Sequence, residues 1–202
     1  FVDTFLQLSP DMAVLLDIDN DHLDYFKTMD NLVRSFGKFV SMSKVAVVNG
    51  DDPLVKKAIE GFEGEVITFG LDASNDYYAT DIKQAKHGYA FTVNYRSEPL
   101  FRLELSVPGK HNVYNMLSAV AVGKYYGIEN DGIKDSLSKF GGAGRRFEKL
   151  GEWNSISLID DYAHHPTEIK ATLSAARQLG FKRIIAVFQP FTFSRTELLK
   201  DD

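Results

Sequence analysis

The densest group of reactive side chains follows a short apolar run. Ile156–Ile159 is apolar and mostly branched, which is typical of a buried strand. Two carboxylates, a tyrosine and two imidazoles come directly after it: Asp160, Asp161, Tyr162, His164 and His165. Pro166 then suits the first turn of a helix. Because ligands bind beyond the carboxyl ends of strands in open α/β sheets, these side chains are expected at a ligand site.

A second apolar run has the same form. Arg183–Phe188 predicts a strand, and it leads into a polar stretch that contains Arg195. Between the two runs, Glu168–Leu179 has apolar residues at helical spacing and ends before Gly180, a common helix terminator. The sequence therefore predicts a βαβ unit whose two strands end on the same edge of a sheet.

Carboxylates and a histidine also follow the first predicted strand. Met12–Ile18 is an apolar run, and the next segment, Asp19–Asp24, contains His22 among its aspartates. Such a group could hold a hard cation or phosphate-bound Mg²⁺. A turn that caps a helix explains the same residues, since Asp and Asn dominate turns. The residues alone leave both interpretations open.

A further polar group lies at the start of the Ala-rich helix predicted at Met116–Tyr126. His111, Asn112 and Asn115 precede it, and the two asparagines are one helical turn apart on the same side. They could face a ligand together. For Asn112 taken alone, a helix N-cap is the simpler explanation.

The glycine-rich run Phe140–Arg146 predicts a hinge between two domains. It ends in two adjacent arginines, Arg145 and Arg146. Guanidinium groups on a glycine loop can fork onto phosphate or carboxylate oxygens. A solvated pair at a linker is the alternative.

The remaining pattern predicts an α/β fold with a mixed sheet. Apolar strands at Lys44–Val48 and Glu65–Phe69 alternate with short helices, which favours a parallel sheet covered on both faces. From Tyr78 onward the pattern changes to apolar–polar alternation, the signature of antiparallel strands with one face in water. The segments that show it are Tyr78–Ile82, Tyr89–Tyr95 and Leu100–Val107.

Composition excludes several classes of function. The 202 residues are 44% hydrophobic and carry a net charge of −5 with both signs mixed throughout, so there is no basic footprint for nucleic acid. The absence of cysteine excludes disulfides and thiolate chemistry and fits a reducing compartment such as the cytoplasm. No apolar run is long enough for membrane insertion. Small-molecule ligands are therefore expected.

Four phrases, in this order, resemble the Mur ligases of peptidoglycan synthesis: Pro108–Asn115, Gly144–Glu148, Asp160–Ile169 and Phe188–Thr196. The resemblance covers essentially the whole chain, and the third phrase is the most diagnostic. It implies the later part of a central ATPase domain at residues 1–142. Residues 143–202 would then be the first part of a Rossmann-like C-terminal domain.

The members that the chain resembles most join L-alanine to UDP-N-acetylmuramate with ATP, through an acyl phosphate. The resemblance therefore implies ATP and Mg²⁺ as cofactors, and UDP-N-acetylmuramate and L-alanine as small-molecule substrates. No Gly-x-x-x-x-Gly-Lys-Ser/Thr stretch is present in the chain. The phosphate loop and the N-terminal part of the same enzyme are expected as missing partners, so the chain should not turn over alone.

The resemblance also implies roles for residues on the nucleotide side. His22 would bind the metal, although Mg²⁺ prefers oxygen ligands and neighbouring aspartates would suit it better. The adenine would contact His111, Asn112 and Asn115, the phosphates Arg146 with Arg145, and the ribose Asp161.

On the amino-acid side, Tyr162, His164 and Arg195 would form the pocket, with Arg195 paired to the alanine carboxylate. Arg146 and His164 would be the catalytic residues. At Phe191 and Thr192 the chain departs from the family, which often has a histidine at the first position and sometimes an arginine at the second.

Three alternatives compete with this hypothesis. A recycling ligase that joins a tripeptide to UDP-N-acetylmuramate has a similar His-His-Pro turn. A metal-dependent phosphoesterase would use Asp160 and Asp161 with His164 and His165 as a two-metal cluster. A non-catalytic nucleotide-binding module is the third.

Overall fold

The computed structural model describes residues 3–190 and 193–200, without the side chains of Asp24, Ser194, Arg195 and Leu198. The strands are β1 Met12–Leu15, β2 Val45–Asn49, β3 Glu65–Gly70, β4 Tyr77–Gln84, β5 Tyr89–Tyr95, β6 Glu98–Glu104, β7 Glu148–Trp153 and β8 Ile156–Asp160. The α-helices are α1 Leu23–Phe26, α2 Met29–Ser41, α3 Pro53–Ala58, α4 His111–Tyr125, α5 Asn130–Ser138, α6 Pro166–Gln178 and α7 Phe193–Leu199. A 3₁₀ turn at Thr4–Gln7 precedes them.

The first six strands form one sheet in sequence order. Strands β1 to β4 pair in parallel with one another, whereas β5 pairs in antiparallel fashion with both β4 and β6. The predicted change from parallel to antiparallel pairing is confirmed, but it comes one strand later than predicted, because β4 still pairs in parallel with β3. Both kinds of strand belong to a single mixed sheet.

Strand β2 shows why this sheet is stable. Its five residues are all buried, and alternate side chains enter two separate cores. Val47 packs with Phe69 and Leu117 on the side of α4. Ala46 and Val48 pack on the opposite side, against α2 and α3. A strand covered on both faces reads as a continuous apolar run, as this one does.

The second sheet is small and differs from the prediction. Ile156–Asp160 is a strand, but Ile156 and Leu158 are 60% and 61% exposed, so its description as a buried strand is wrong. It pairs in antiparallel fashion with β7. The sequence of β7 is largely polar and lacks apolar–polar alternation, so it gave no strong strand signal.

The predicted strand Arg183–Phe188 is also wrong. The backbone over these residues is irregular, and Val187 is 95% exposed. A strand needs a hydrogen-bonding neighbour, and within the described ranges β8 pairs with β7 alone. The βαβ unit is therefore reduced here to strand β8 and helix α6. No helix in the described ranges combines the length and apolarity needed to cross a membrane.

Candidate functional site

A cleft of about 710 Å³ lies between the large sheet and α6. The carboxyl ends of the parallel strands open into it, through Leu16–Asp19 after β1, through Asn49 at the end of β2 and through Asp52 in the turn that follows. The opposite wall comes from the loop that ends at Phe147 and from α6. This is the position at which ligands bind in open α/β sheets.

The start of α4 forms one end of the cleft and contributes His111, Asn112 and Asn115. Asn112 is not the N-cap that its position suggested: the cap residue is Lys110, which makes no side-chain cap bond. The Asn112 amide instead donates to the Pro108 carbonyl at 2.7 Å, and its oxygen accepts from the Asn115 amide at 3.2 Å. The two asparagines therefore form one connected pair at the cleft.

The imidazole of His111 is held close to the protein. Gly109 has a φ of +95°, and a Cβ there would collide with the His111 ring, so the turn leaves room for that ring alone. Burial lowers the pKa of His111, and the nearby Arg146 lowers it further, against the opposing charges of Asp161 and Asp17. At neutral pH the ring is therefore uncharged and can both donate and accept a hydrogen bond.

The two arginines at the end of the glycine-rich run Phe140–Arg146, here called the glycine loop, lie in different surroundings. Arg146 lines the cleft and donates from Nη1 to Glu168 Oε1 at 2.9 Å. Arg145 lies over the Tyr162 ring, 4.7 Å from its centroid, and donates from Nε to Asp160 at 3.3 Å. Of the two, only Arg146 is placed to contact a ligand in the cleft.

Asp161 lines the cleft and braces its wall. One carboxylate oxygen accepts from the Ala163 N–H at 2.7 Å, and the other accepts from the Phe147 N–H at 2.9 Å and the Thr172 hydroxyl at 3.0 Å. A carboxylate has about four acceptor positions, so little of it remains for the predicted ribose contact.

Glu168 ties the same wall to the start of α6. It accepts from Arg146 and from the N–H of His164 at 3.1 Å and His165 at 3.4 Å, and completes a capping box. Burial acts to raise its pKa, but the bonds from Arg146 and the backbone outweigh it, so the pKa of Glu168 lies below its ordinary value.

Tyr162 and His164 form a second group, outside the cleft lining. Their rings meet edge to face at 5.2 Å, and Tyr162 is 52% exposed. His164 Nδ1 lies 2.9 Å from the Tyr162 carbonyl. Arg145 adjoins them through its stacking on Tyr162. The Arg195 side chain, like Phe191 and Thr192, falls outside the described residues.

The predicted metal ligand His22 lies beside Asp21, with 3.4 Å between Nε2 and Oδ2, and does not line the cleft. Within the described residues, no three His, Asp or Glu side chains are grouped to hold a metal ion. The twin Asp-His cluster of a phosphoesterase is not assembled either. Asp161 is engaged by its own loop, and His165 Nε2 lies 2.8 Å from the Asn20 carbonyl.

Sequence reasoning found only part of the acidic wall of the cleft, because it included Asp19 in a candidate cation site but missed Asp17 and Asp52. Asp17, Asp19 and Asp52 all line it from the ends of β1 and β2. Burial, followed by the charges of Asp52, Asp19 and Glu168, raises the pKa of Asp17. For Asp19, burial is outweighed by bonds from Thr167 and the Asn20 N–H, so the pKa of Asp19 is lowered. Because ligands bind beyond the carboxyl ends of strands, the position of these three aspartates could have identified them as candidate site residues.

A nucleoside fits the cleft better than a bare polyphosphate does. Apolar groups such as Val107, Met116 and Phe140 suit a base, and the Asn112–Asn115 pair offers amide groups to its edge. The carboxylates along the other walls outnumber the single arginine, so phosphates would be repelled unless a cation came with them. The chemistry of the lining thus fits a nucleotide whose phosphates are accompanied by a cation.

Family comparisons match both parts of the chain. Residues 2–123 match the family described as Mur ligase middle domain, and residues 145–200 match the Mur ligase, glutamate ligase domain. The predicted α/β Mur-ligase fold is therefore confirmed.

Curated relatives are similar along the whole chain. It is 45% identical over 206 residues to a UDP-N-acetylmuramate--L-alanine ligase of Caldicellulosiruptor bescii, covering 100% of this chain and 45% of the relative. The ligase of the same name from Clostridium acetobutylicum is 45% identical over 203 residues, covering 98% and 44%. The chain thus spans less than half the length of these relatives.

Solved structures share its fold. A UDP-N-acetylmuramate-alanine ligase from Thermotoga maritima has a TM-score of 0.80 at 26% identity, covering 93% of this chain and 43% of that one. A murein peptide ligase from Psychrobacter arcticus has a TM-score of 0.69 at 27% identity, covering 93% and 39%. With both domain families and these relatives in agreement, the chain belongs to the Mur ligase family.

Proposed function

We propose that the protein is an ATP-dependent ligase that joins L-alanine to UDP-N-acetylmuramate, and that this chain supplies its nucleotide cleft. One observation carries the proposal. Five of the six residues expected to contact ATP line a single cleft between the sheet and α6: His111, Asn112, Asn115, Arg146 and Asp161. The chain is also similar over its whole length to relatives named for this reaction.

ATP would supply a phosphoryl group to the muramate carboxylate, with ADP leaving, and the amine of L-alanine would then displace phosphate to form the amide. Phosphoryl transfer depends on positioning and on cations around the migrating group. Arg146 is the guanidinium of this chain that faces the cleft within the described residues. Its bond to Glu168 fixes its direction and leaves its other N–H donors for phosphate oxygens.

Mg²⁺ would neutralise the negative charge of the acidic wall, which would otherwise repel the phosphates of ATP. Asp17 and Asp19 provide oxygen atoms of the kind Mg²⁺ prefers, and they face the cleft. By resemblance His22 stays the proposed metal ligand, on the same loop. A cation held in this region would offset the repulsion between these carboxylates and the phosphates.

We further propose that Tyr162, His164 and Arg195 bind the amino acid, beside the cleft. The exposed Tyr162–His164 pair is supported by Arg145, which stacks on Tyr162 and thereby holds the ring in place. Residues 1–142 and 143–202 are proposed as separate domains, joined at the glycine run.

Calorimetric titration with a non-hydrolysable ATP analogue tests the cleft. Binding should require Mg²⁺, and His111→Ala should weaken it, whereas the same change at His87, in an exposed turn, should not. Equal binding with and without Mg²⁺ would contradict the electrostatic argument. Tight binding of Mn²⁺ or Zn²⁺ without nucleotide, lost in His165→Ala, would favour a phosphoesterase instead.

A second assay separates the two ligase candidates, because the similar murein peptide ligase fold leaves a recycling activity in competition. Phosphate release by the full-length protein should depend on both UDP-N-acetylmuramate and L-alanine. Turnover with a cell-wall tripeptide and none with L-alanine would transfer the assignment to the recycling ligase.

A further inference from the structure

His165 is the most buried histidine of the reactive group, and neither the nucleotide nor the amino-acid proposal uses it. It is 7% exposed. Its Nδ1 accepts from the Thr167 N–H at 3.4 Å, as the N-cap of α6, and its Nε2 lies 2.8 Å from the Asn20 carbonyl. Since a carbonyl can only accept, Nε2 carries a proton and donates to Asn20.

The bond to Asn20 connects the two parts of the chain. Asn20 belongs to the loop after β1, and His165 lies at the start of α6, 145 positions later. Thr167 reinforces the contact, because its hydroxyl donates to Asp19 at 2.7 Å. One short segment, Asp19–Asn20, thus receives two hydrogen bonds from the first turn of α6.

The loop after β1 contains an unfavourable feature that other contacts must offset. The side-chain oxygen of Asn20 is buried and has no hydrogen-bond partner within the described structure. An unsatisfied buried acceptor is unfavourable. The bonds from His165 and Thr167 therefore offset the cost of leaving the Asn20 side-chain oxygen unpaired.

A second contact lies at the other end of α6. Gln84 donates to the Gln178 carbonyl at 2.5 Å, and the Tyr89 hydroxyl donates to the Gln178 side chain at 2.9 Å. These bonds are exposed to solvent, whereas the hydrogen bond between His165 and Asn20 is partly buried. Solvent competes for exposed hydrogen bonds, so the contact at His165 should contribute more to holding the two parts together.

We propose that His165 is a positioning residue, whose bond to the Asn20 carbonyl holds α6 against the loop after β1 and so sets the width of the cleft. The contact can set this width because it joins the elements that form the two walls. Residues of α6 line one wall and residues of the loop after β1 line the other: Thr167, Glu168 and Thr172 on α6, and Asp17 and Asp19 on the loop. His165 would touch no substrate.

Two substitutions separate this role from helix capping. His165→Asn keeps an acceptor where Nδ1 lies, and Asn is a favoured N-cap, but its side chain cannot reach Asn20. His165→Gln reaches further and can present an N–H donor toward the Asn20 carbonyl, while it gives up the cap. Thr167→Val removes the second bond to the β1 loop and leaves the His165 ring in place.

The distance between the two parts can be measured directly, because the chain has no cysteine of its own. Spin labels on Lys56→Cys in α3 and Lys170→Cys in α6, both exposed, report that distance by pulsed electron paramagnetic resonance. His165→Asn should raise the open-to-closed ratio roughly tenfold, as the loss of a buried hydrogen bond predicts. His165→Gln should stay near the parent, and Thr167→Val should shift in the same direction as His165→Asn.

Two controls make the result specific. His87→Asn makes the same exchange in an exposed turn and should leave the distances unchanged. Gln178→Ala should produce a smaller shift than His165→Asn. Parental distances in both His165→Asn and Thr167→Val would overturn the proposal, as would a shift in His165→Gln as large as in His165→Asn. If His165→Asn fails to fold, Thr167→Val decides.

The distance measurement needs no nucleotide, so its failure is distinct from failure of the proposed function. If both hold, affinity for the ATP analogue should fall in His165→Asn by the same factor as the closed population. A fall in affinity with parental distances would place His165 in ligand contact, and the positioning role would be wrong.

Discussion

The two walls of the cleft are built in opposite ways. The wall at the ends of β1 and β2 collects like charges, Asp17, Asp19 and Asp52, and burial followed by the repulsion among them raises the pKa of Asp17. The wall formed by the glycine loop and α6 pairs its charges internally, as in the bond between Arg146 and Glu168. On the first wall Asp52 already accepts backbone N–H groups at the start of α3 and Asp19 accepts from Thr167, so Asp17 has the charge that is most available to a cation.

This difference explains why burial alone does not identify ligand contacts in the cleft. On the braced wall, Asp161 accepts from the Phe147 N–H and the Thr172 hydroxyl, so it ties the loop next to Arg146 to α6. On the acidic wall, Asp17 has charged neighbours of its own sign. Substitutions on the two walls can therefore separate residues that brace the cleft from residues that contact a ligand.

Arg146→Ala should have the largest effect on activity. In the full-length protein, loss of a single charge-stabilising donor should cost roughly 3 to 4 kcal/mol of transition-state stabilisation. Arg145→Ala is the matched control, because the neighbouring guanidinium lies over Tyr162 and beside Asp160 instead of facing the cleft. Comparison of kcat/KM for ATP measures both. Equal losses at the two positions would show that the arginines act together, contrary to their separation here.

The adjacent aspartates give the next largest contrast, in stability. Asp161→Ala leaves the N–H groups of Phe147 and Ala163 without their acceptor, so unfolding should become easier by about 2 to 3 kcal/mol. Asp160→Ala removes an exposed pair with Arg145 and should cost about 0 to 1 kcal/mol. Urea unfolding followed by circular dichroism tests this. A larger loss at Asp160 would show that the brace is misassigned.

Sequence patterns predicted the large sheet well because the apolar pattern of each strand matches how its two faces are buried. Val45–Val48 is continuously apolar where two faces are buried, and Tyr89–Tyr95 alternates in the antiparallel part. In contrast, Arg183–Phe188 has an equally apolar sequence and forms no strand in the described ranges. The apolar pattern indicates which side chains could be buried. A strand also needs a neighbouring strand to accept and donate its backbone hydrogen bonds, and the pattern does not specify that neighbour.

The site was predictable to a similar extent. Motif residues at the start of α4 and on the glycine loop were found because type and position point together to a ligand, as for His111 and Arg146. The separation of Arg145 from Arg146 was not predictable, because it depends on a backbone φ of +57° at Arg145. Of the acidic wall, Asp17 was missed because it is the only polar residue of the apolar run Met12–Ile18 and reads as part of a strand.

The smallest expected effects distinguish the two walls by the sign of their pH dependence. The pKa of Asp17 is raised in the folded protein, so its ionisation opposes folding above its ordinary pKa. Asp17→Asn should therefore stabilise the protein at pH 7, by about 0.2 to 1 kcal/mol given its exposure. The gain should shrink as pH falls through the raised pKa and vanish below the ordinary one.

Glu168→Gln should show the opposite sign. The pKa of Glu168 is lowered by Arg146 and the backbone, so its ionised form stabilises the fold above the ordinary pKa. The substitution should destabilise the protein at pH 7, and the difference from the parent should disappear as pH falls through the lowered pKa. Thermal unfolding of both variants between pH 3 and 8, a range that spans carboxylate titration, measures the two curves. Because both groups face one cleft, curves of the same sign would mean that its walls share a single electrostatic environment, and the contrast between an open acidic wall and an internally paired one would not hold.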